Sequence, residues 1–128
     1  MDRPVRLPVP AEMNELLAAV GSADMLLKLI EAYGGQRVPI PRSSSEATKI
    51  AQEFGPAVAK GLAAWRGGED IKVPLAKVWR IKVYRDAGFS YSKIAATLGI
   101  GESCVHRHLQ LAGMTGKPRA ARRMRVGA

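Results

Sequence analysis

The placement of glycine most limits how this chain can fold. Two stretches, "LLAAVGSADMLLKLIEAYGGQRVPIP" at 16–41 and "KIAQEFGPAVAKGLAAWRGGEDIKVP" at 49–74, carry it in the same order. Gly21 aligns with Gly55, Gly34-Gly35 with Gly67-Gly68, and Pro41 with Pro74. The second copy is one residue shorter between its glycines. Each unit reads helix, glycine break, helix, Gly-Gly, short strand, proline, which makes an internal repeat.

The residues between the glycines agree with that reading. Ser22 can cap the helix after it, and Pro56 can occupy the first turn of the counterpart. Ser43 and Glu46 fit a capping box for a helix around 45–54. Met25, Leu26, Leu29, Ile30 and Tyr33 form an apolar stripe at helical spacing. "QRVPI" and "EDIKV" are short, β-branched and bounded by Gly and Pro, so they read as strands, with Pro39 confining the first to an edge or a bulge. One helix-helix-strand unit cannot cover its own apolar face, and a lone strand leaves its ladder unpaired. Two copies can pair inside one chain, or each can pair across a dimer; two chains are expected to associate through this region.

Charge separates this front half from the rest. The chain has 128 residues and a net charge of +9. Residues 1–76 balance nine Lys/Arg with nine Asp/Glu, whereas 77–128 set eleven Lys/Arg against Asp86 and Glu102. A half so basic attracts phosphate polyanions or acidic surfaces. At 47% hydrophobic and 5% aromatic, the chain can build a core that is mostly aliphatic. No apolar run is long enough for a transmembrane helix. "MDRPVRLPVPAE" has no apolar leader core, so no secretory signal is expected. A lone cysteine, Cys104, rules out an intrachain disulfide and suits a reducing, cytoplasmic setting.

The basic half contains "YSKIAATLGIGESCVHRHL" at 91–109. Ser90 stands as N-cap, and Ile94, Ala95 and Leu98 face one way. Gly99-Ile100-Gly101 forces a tight turn, and Val105 and Leu109 clamp the next helix. Before it, "LAKVWRIKVYRDAG" gives a helix from Pro74 to Gly88 with Val78, Ile81 and Val83-Tyr84 as its apolar positions. The result is a helix-turn-helix whose second piece turns Glu102, Ser103, His106, Arg107 and Gln110 outward. Such an edge suits the major groove of double-stranded DNA. Arg107 is the expected base reader; Lys77, Arg80 and Lys93 are expected on phosphates.

"LIEAYGGQRVPIPR" at 29–42, with the helix-turn-helix at 77–112, resembles the Mor/C family of phage middle-operon-regulator transcription activators. The resemblance implies a dimeric DNA-binding activator with an α/β dimerisation region, working with RNA polymerase. It also implies strand residues near DNA, here Gln36 and Arg37, or Glu69 and Asp70 in the second copy. The chain departs from the family in having Pro39 where an aromatic is usual, and in the second unit before the helix-turn-helix.

The tail "GKPRAARRMRVGA" carries Lys117, Arg119, Arg122, Arg123 and Arg125 without an apolar face, and reads as a disordered arm for phosphates or the minor groove. Cys104, His106 and His108 do not make a metal site, because only the first and last share a helix face. Trp65 and Trp79 are expected in the core. No catalytic triad, phosphate loop or carboxylate cluster suggests an enzyme, and no cofactor is expected. The expected fold is mainly α with a short β element: a dimerisation region at 1–74, a helix-turn-helix domain at 75–114 and a basic tail at 115–128. The expected function is sequence-specific transcription regulation of phage or prophage type. The alternatives are a DNA-packaging component such as a small terminase subunit, and a non-specific architectural DNA binder.

Overall fold

Gly21 and Gly55 take φ of 98° and 96°, a left-handed region closed to most side chains, and each ends a short helix. Those helices are α1 (Asn14–Val20), entered through a 3-10 turn at Ala11–Met13, and α3 (Lys49–Phe54). The computed structural model describes residues 5–42 and 48–115. Within them the chain is mainly helical, with one two-stranded antiparallel sheet. It divides into two units, one spanning 9–76 and one combining the N-terminal segment with the residues from Lys77 onward. The N-terminal Val5–Pro8 segment was expected in the front region. It groups instead with the C-terminal unit, where Arg6 lies 3.8 Å from Asp86.

In the front unit, α1 and α3 are followed by α2 (Ala23–Tyr33) and α4 (Pro56–Arg66). The Ser22 hydroxyl accepts from the Met25 amide at 3.2 Å, and Pro56 occupies the first turn of α4. The helix expected around 45–54 begins later, at Lys49. Its cap is Thr48, whose hydroxyl accepts from the Ala51 amide at 3.2 Å; Ser43 and Glu46 lie outside the described residues. Leu26, Leu29, Ile30 and Leu62 are buried, while Met25 and Tyr33 are only half-buried at the edges of their stripe. Apolar spacing of three and four places these side chains on one face, and burying each contributes about 1.5–3 kcal/mol.

The helices end at Gly34-Gly35 and Gly67-Gly68, where Gly35 and Gly68 take φ of 82° and 87°. Two strands follow, β1 (Arg37–Pro39) and β2 (Asp70–Lys72), and they pair antiparallel with Val38 opposite Ile71. Bonds outside the strands come in matched couples. The Gly35 amide donates to the Val73 carbonyl at 2.8 Å, and Gly68 to Ile40 at 2.7 Å. Ile40 donates to Glu69 at 2.8 Å, and Val73 to Gln36 at 2.9 Å. Ladder bonds in an antiparallel pair fall on alternate residues. With 36 and 40 bonded, Pro39 occupies a position whose missing N–H would have pointed outward. A proline is therefore tolerated without a bulge.

Helix α4 takes α1 on one side and α3 on another. Gly61 makes the first approach possible: a Cβ there would fall on the carbonyl oxygen of Ala19, 3.1 Å from its carbon. Trp65 is not a core residue. It is half-buried on the surface, where its indole N–H donates to Glu15 at 3.2 Å and the Arg66 guanidinium lies 4.9 Å from its ring centre. Together with Met13, Leu16, Ile71 and Pro74 it lines a recess of about 350 Å³. On the other side, Tyr33 meets Phe54 edge-on and donates its hydroxyl to Glu53.

The second unit holds three helices, α5 (Lys77–Asp86), α6 (Tyr91–Leu98) and α7 (Glu102–Leu111), each packed on the other two. Helix α5 starts at Lys77 rather than after Pro74, because Ala76 has φ of 52° and cannot extend a right-handed helix. Trp79, Ile81, Val83 and Tyr84 are buried, and Val78, expected inside, is 42% exposed. Helix α6 is capped by Ser90, which accepts from Lys93 at 3.0 Å, and ends at Gly99 with φ of 70°. The Ile100 amide then reaches back to the Ala95 carbonyl at 3.0 Å, closing the helix end with a six-residue loop. Gly101 starts α7 two residues later.

Candidate nucleic-acid interface

Helix α7 is amphipathic in a narrow sense. Val105 and Leu109 are fully buried, four residues apart, and Ile94 and Ala95 of α6 are buried too. Elsewhere α7 is polar except for Leu111, its last residue, which is exposed. Glu102, Ser103, His106, Arg107 and Gln110 are all exposed, with Cys104 and His108 half-buried at the margins. Arg107 lies two residues from both Val105 and Leu109, so it projects from the side opposite the buried stripe. The helix thus presents a guanidinium, two amide or hydroxyl groups, an imidazole and a carboxylate side by side. These are donor and acceptor types that match base edges.

His106 is held rather than free. Its ring lies 5.6 Å from that of Tyr91, the first residue of α6. The Arg85 guanidinium covers the same Tyr91 ring at 4.5 Å and donates to the Phe89 carbonyl at 2.8 Å. Phe89 stacks on Tyr84 with ring centres 5.0 Å apart and planes 9° from parallel, and the Lys93 ammonium sits 4.3 Å from the Phe89 ring. Cations over aromatic faces are drawn there by the ring quadrupole, by about 0.5–1 kcal/mol at exposed sites. Tyr91 and Arg85 were not singled out from the sequence. The alternation of aromatic and basic residues in "YRDAGFSYSK" is the signal that could have found them.

The expected phosphate contacts divide. Lys93 is exposed and Lys77 half-buried. Arg80 is 8% exposed, and its Nε donates to the Tyr84 hydroxyl at 3.1 Å. It is spent inside the fold, so its expected phosphate role is withdrawn. Lys117, Arg119, Arg122, Arg123 and Arg125 lie outside the described residues. In the front unit, Gln36 and Arg37 are exposed on the ribbon, with Lys72 directly opposite Arg37. Like charges facing each other across a strand pair are destabilising.

Among the described residues, no cluster of His, Cys, Asp or Glu is placed to hold a metal ion, and no helix is long and apolar enough to cross a membrane. Comparison of the chain with protein-family models, curated proteins and solved structures finds no match.

Proposed function

We propose that 77–112 is a helix-turn-helix that reads double-stranded DNA in the major groove through α7, as the recognition module of a transcription regulator. One observation carries the reading: Glu102, Ser103, His106, Arg107 and Gln110 are exposed together on a helix whose only apolar stripe, Val105 and Leu109, is fully buried against its neighbours. A helix that served only as packing would have no need to order a histidine on Tyr91 at its outer edge. Six Lys/Arg against two Asp/Glu in 77–115 supply the sequence-independent attraction to phosphate. Arg107 is assigned to guanine, by a bidentate contact to O6 and N7, and Ser103, His106, Gln110 and Glu102 to neighbouring base edges. Lys77 and Lys93 are assigned to phosphates, which fix register.

We read the front unit as a duplicated helix-helix-strand element. The matched hydrogen bonds of its two copies support this, as does the paired placement of Gly21 with Gly55 and of Gly35 with Gly68. The resemblance of 29–42 to the Mor/C family favours a regulator over a packaging component. It rests on the residues quoted above.

Selection of bound duplexes from a random pool tests the reading. Enrichment of a short consensus is expected. Equal retention of all sequences would leave only phosphate attraction and would remove the base-reading role of α7.

A further inference from the structure

In a two-fold dimer the same patch meets itself, so residue i of one copy contacts j of the other, and j contacts i. The front unit holds both halves of that exchange in one chain. Gly35 and Gly68 occupy equivalent places in the two repeats, as do Ile40 and Val73. Gly35 donates to Val73 while Gly68 donates to Ile40, at 2.8 and 2.7 Å. Gln36 and Glu69 are likewise equivalent; Val73 donates to the first and Ile40 to the second, at 2.9 and 2.8 Å. The backbone repeats as well: Gly34 has φ −52° and ψ 132°, Gly67 φ −58° and ψ 133°. The edges that the two strands turn toward each other, which would otherwise pair across a dimer, are therefore already bonded within one chain.

The two halves have also diverged in ways open only to a fused pair. Gly61 lets α1 approach α4, yet its counterpart in α2, six residues before the first Gly-Gly, is Lys28. Trp65 corresponds in the same way to Ala32. Little apolar surface is left for a second chain. Among the described residues the exposed large hydrophobics are Leu75, Val78 and Leu111. A stable association buries about 800 Å² per partner around an apolar centre, more than three exposed side chains supply.

Resting on the DNA-reading role of α7, we propose that this protein engages DNA as a single chain, at an asymmetric site. The internal pair of repeats takes the place of a dimer core, but the chain carries one reading helix for its two repeats. A dimeric helix-turn-helix protein places two such helices about 34 Å apart and therefore selects palindromes. One helix selects a single unrepeated segment of major groove.

Three measurements on the full chain decide this. Sedimentation at micromolar concentration is expected to give the mass of one chain, 13.8 kDa. Its thermal midpoint is expected to stay constant over a hundredfold range of protein concentration, whereas mass action would raise the midpoint of an obligate dimer. The consensus selected from a random duplex pool is expected to lack dyad symmetry, and titration of a labelled duplex carrying it to saturate at one chain per duplex. A palindromic consensus occupied by two chains would overturn the proposal, as would a concentration-dependent midpoint from chains that exchange repeats. Failure to enrich any sequence, with the chain still sedimenting singly, would instead strike at the base-reading role on which the proposal rests.

Discussion

Gly61 offers the most direct test of how the front unit is held. Replacing it with alanine brings two opposed terms. Alanine is favoured over glycine inside a helix by about 0.8–1.0 kcal/mol, so at an open position in α4 the change would stabilise. Here the new methyl would land on the Ala19 carbonyl oxygen and 3.1 Å from its carbon. Both separations fall inside the roughly 3.5–4.0 Å at which non-bonded atoms attract. The obstacle is backbone, not the end of a flexible side chain, so relief requires α1 to move bodily. Leu16 and Val20, each 6% exposed, would move with it. A gap of 0.5–1 Å forfeits about a quarter to a half of each contact's attraction, and overpacking of this kind costs about 1–3 kcal/mol. Set against the gain in helix propensity, the net loss is about 0–2 kcal/mol, a fall in midpoint of up to about 16 °C for a unit of this size. Thermal unfolding followed by far-ultraviolet circular dichroism measures it. Lys28→Ala, at the exposed equivalent in α2, serves as the control and should stay within about 0.5 kcal/mol of the parent. A Gly61→Ala protein more stable than the parent would refute the close approach of α1 to α4.

Three other outcomes are expected. Arg107→Ala should weaken binding to the selected duplex by about 1–3 kcal/mol and relax preference at one base position, with the melting temperature unchanged; anisotropy titrations against single-base variants would show it. Arg80→Leu should do the reverse, lowering stability by about 1–3 kcal/mol through the lost bond to Tyr84 while the salt dependence of DNA binding keeps its slope. The Tyr33 hydroxyl is pushed above its usual 10.0, chiefly by donating to Glu53 and further by burial and that carboxylate's charge. Because the native value is the raised one, the folded state holds this proton more tightly. The contribution is complete below the unfolded pKa and is lost as pH rises through the native one. The stability gap to Tyr33→Phe, about 1 kcal/mol in urea unfolding, should hold at neutral pH and close in strong alkali.

Much of the secondary structure could be read from single residues. Gly21, Gly55 and Gly99 end helices because the left-handed region is closed to their neighbours. Ser22 and Ser90 start them because a hydroxyl reaches the third amide of the helix. The stripe of Val105 and Leu109 followed from spacing alone, and with it the exposure of the five polar residues of α7. What failed depended on tertiary context. Val78 and Trp79 both fit an apolar face, and only the packing of α5 against α6 and α7 chooses between them. Arg80 carries a charge that reads as exposed, but a hydroxyl across one helical turn offers it a buried partner. Trp65 is large and apolar, yet Glu15 gives its indole N–H a reason to stay at the surface. The pairing of the strands within the chain was open for the same reason: a repeat pattern describes the pieces equally well whichever copy they meet.

The ribbon has a further property that follows from its register. In a symmetric strand pair the two ends are identical, and the element has no direction. Here Arg37 stands opposite Lys72, while Pro39 stands opposite Asp70, with Glu69 beside it at Ile40. The second residue after each Gly-Gly is Arg37 in one stretch and Asp70 in the other, opposite charges that two identical chains could never present. One end of the ribbon is cationic; at the other, Asp70 and Glu69 are set against Arg66, which lies 3.5 Å from Glu69, and against Arg42, whose side chain lies beside Gly68. The backbone bonds of the ribbon are matched from end to end, yet its side chains give it an electrical direction, and any charged polymer that meets this face encounters a head and a tail.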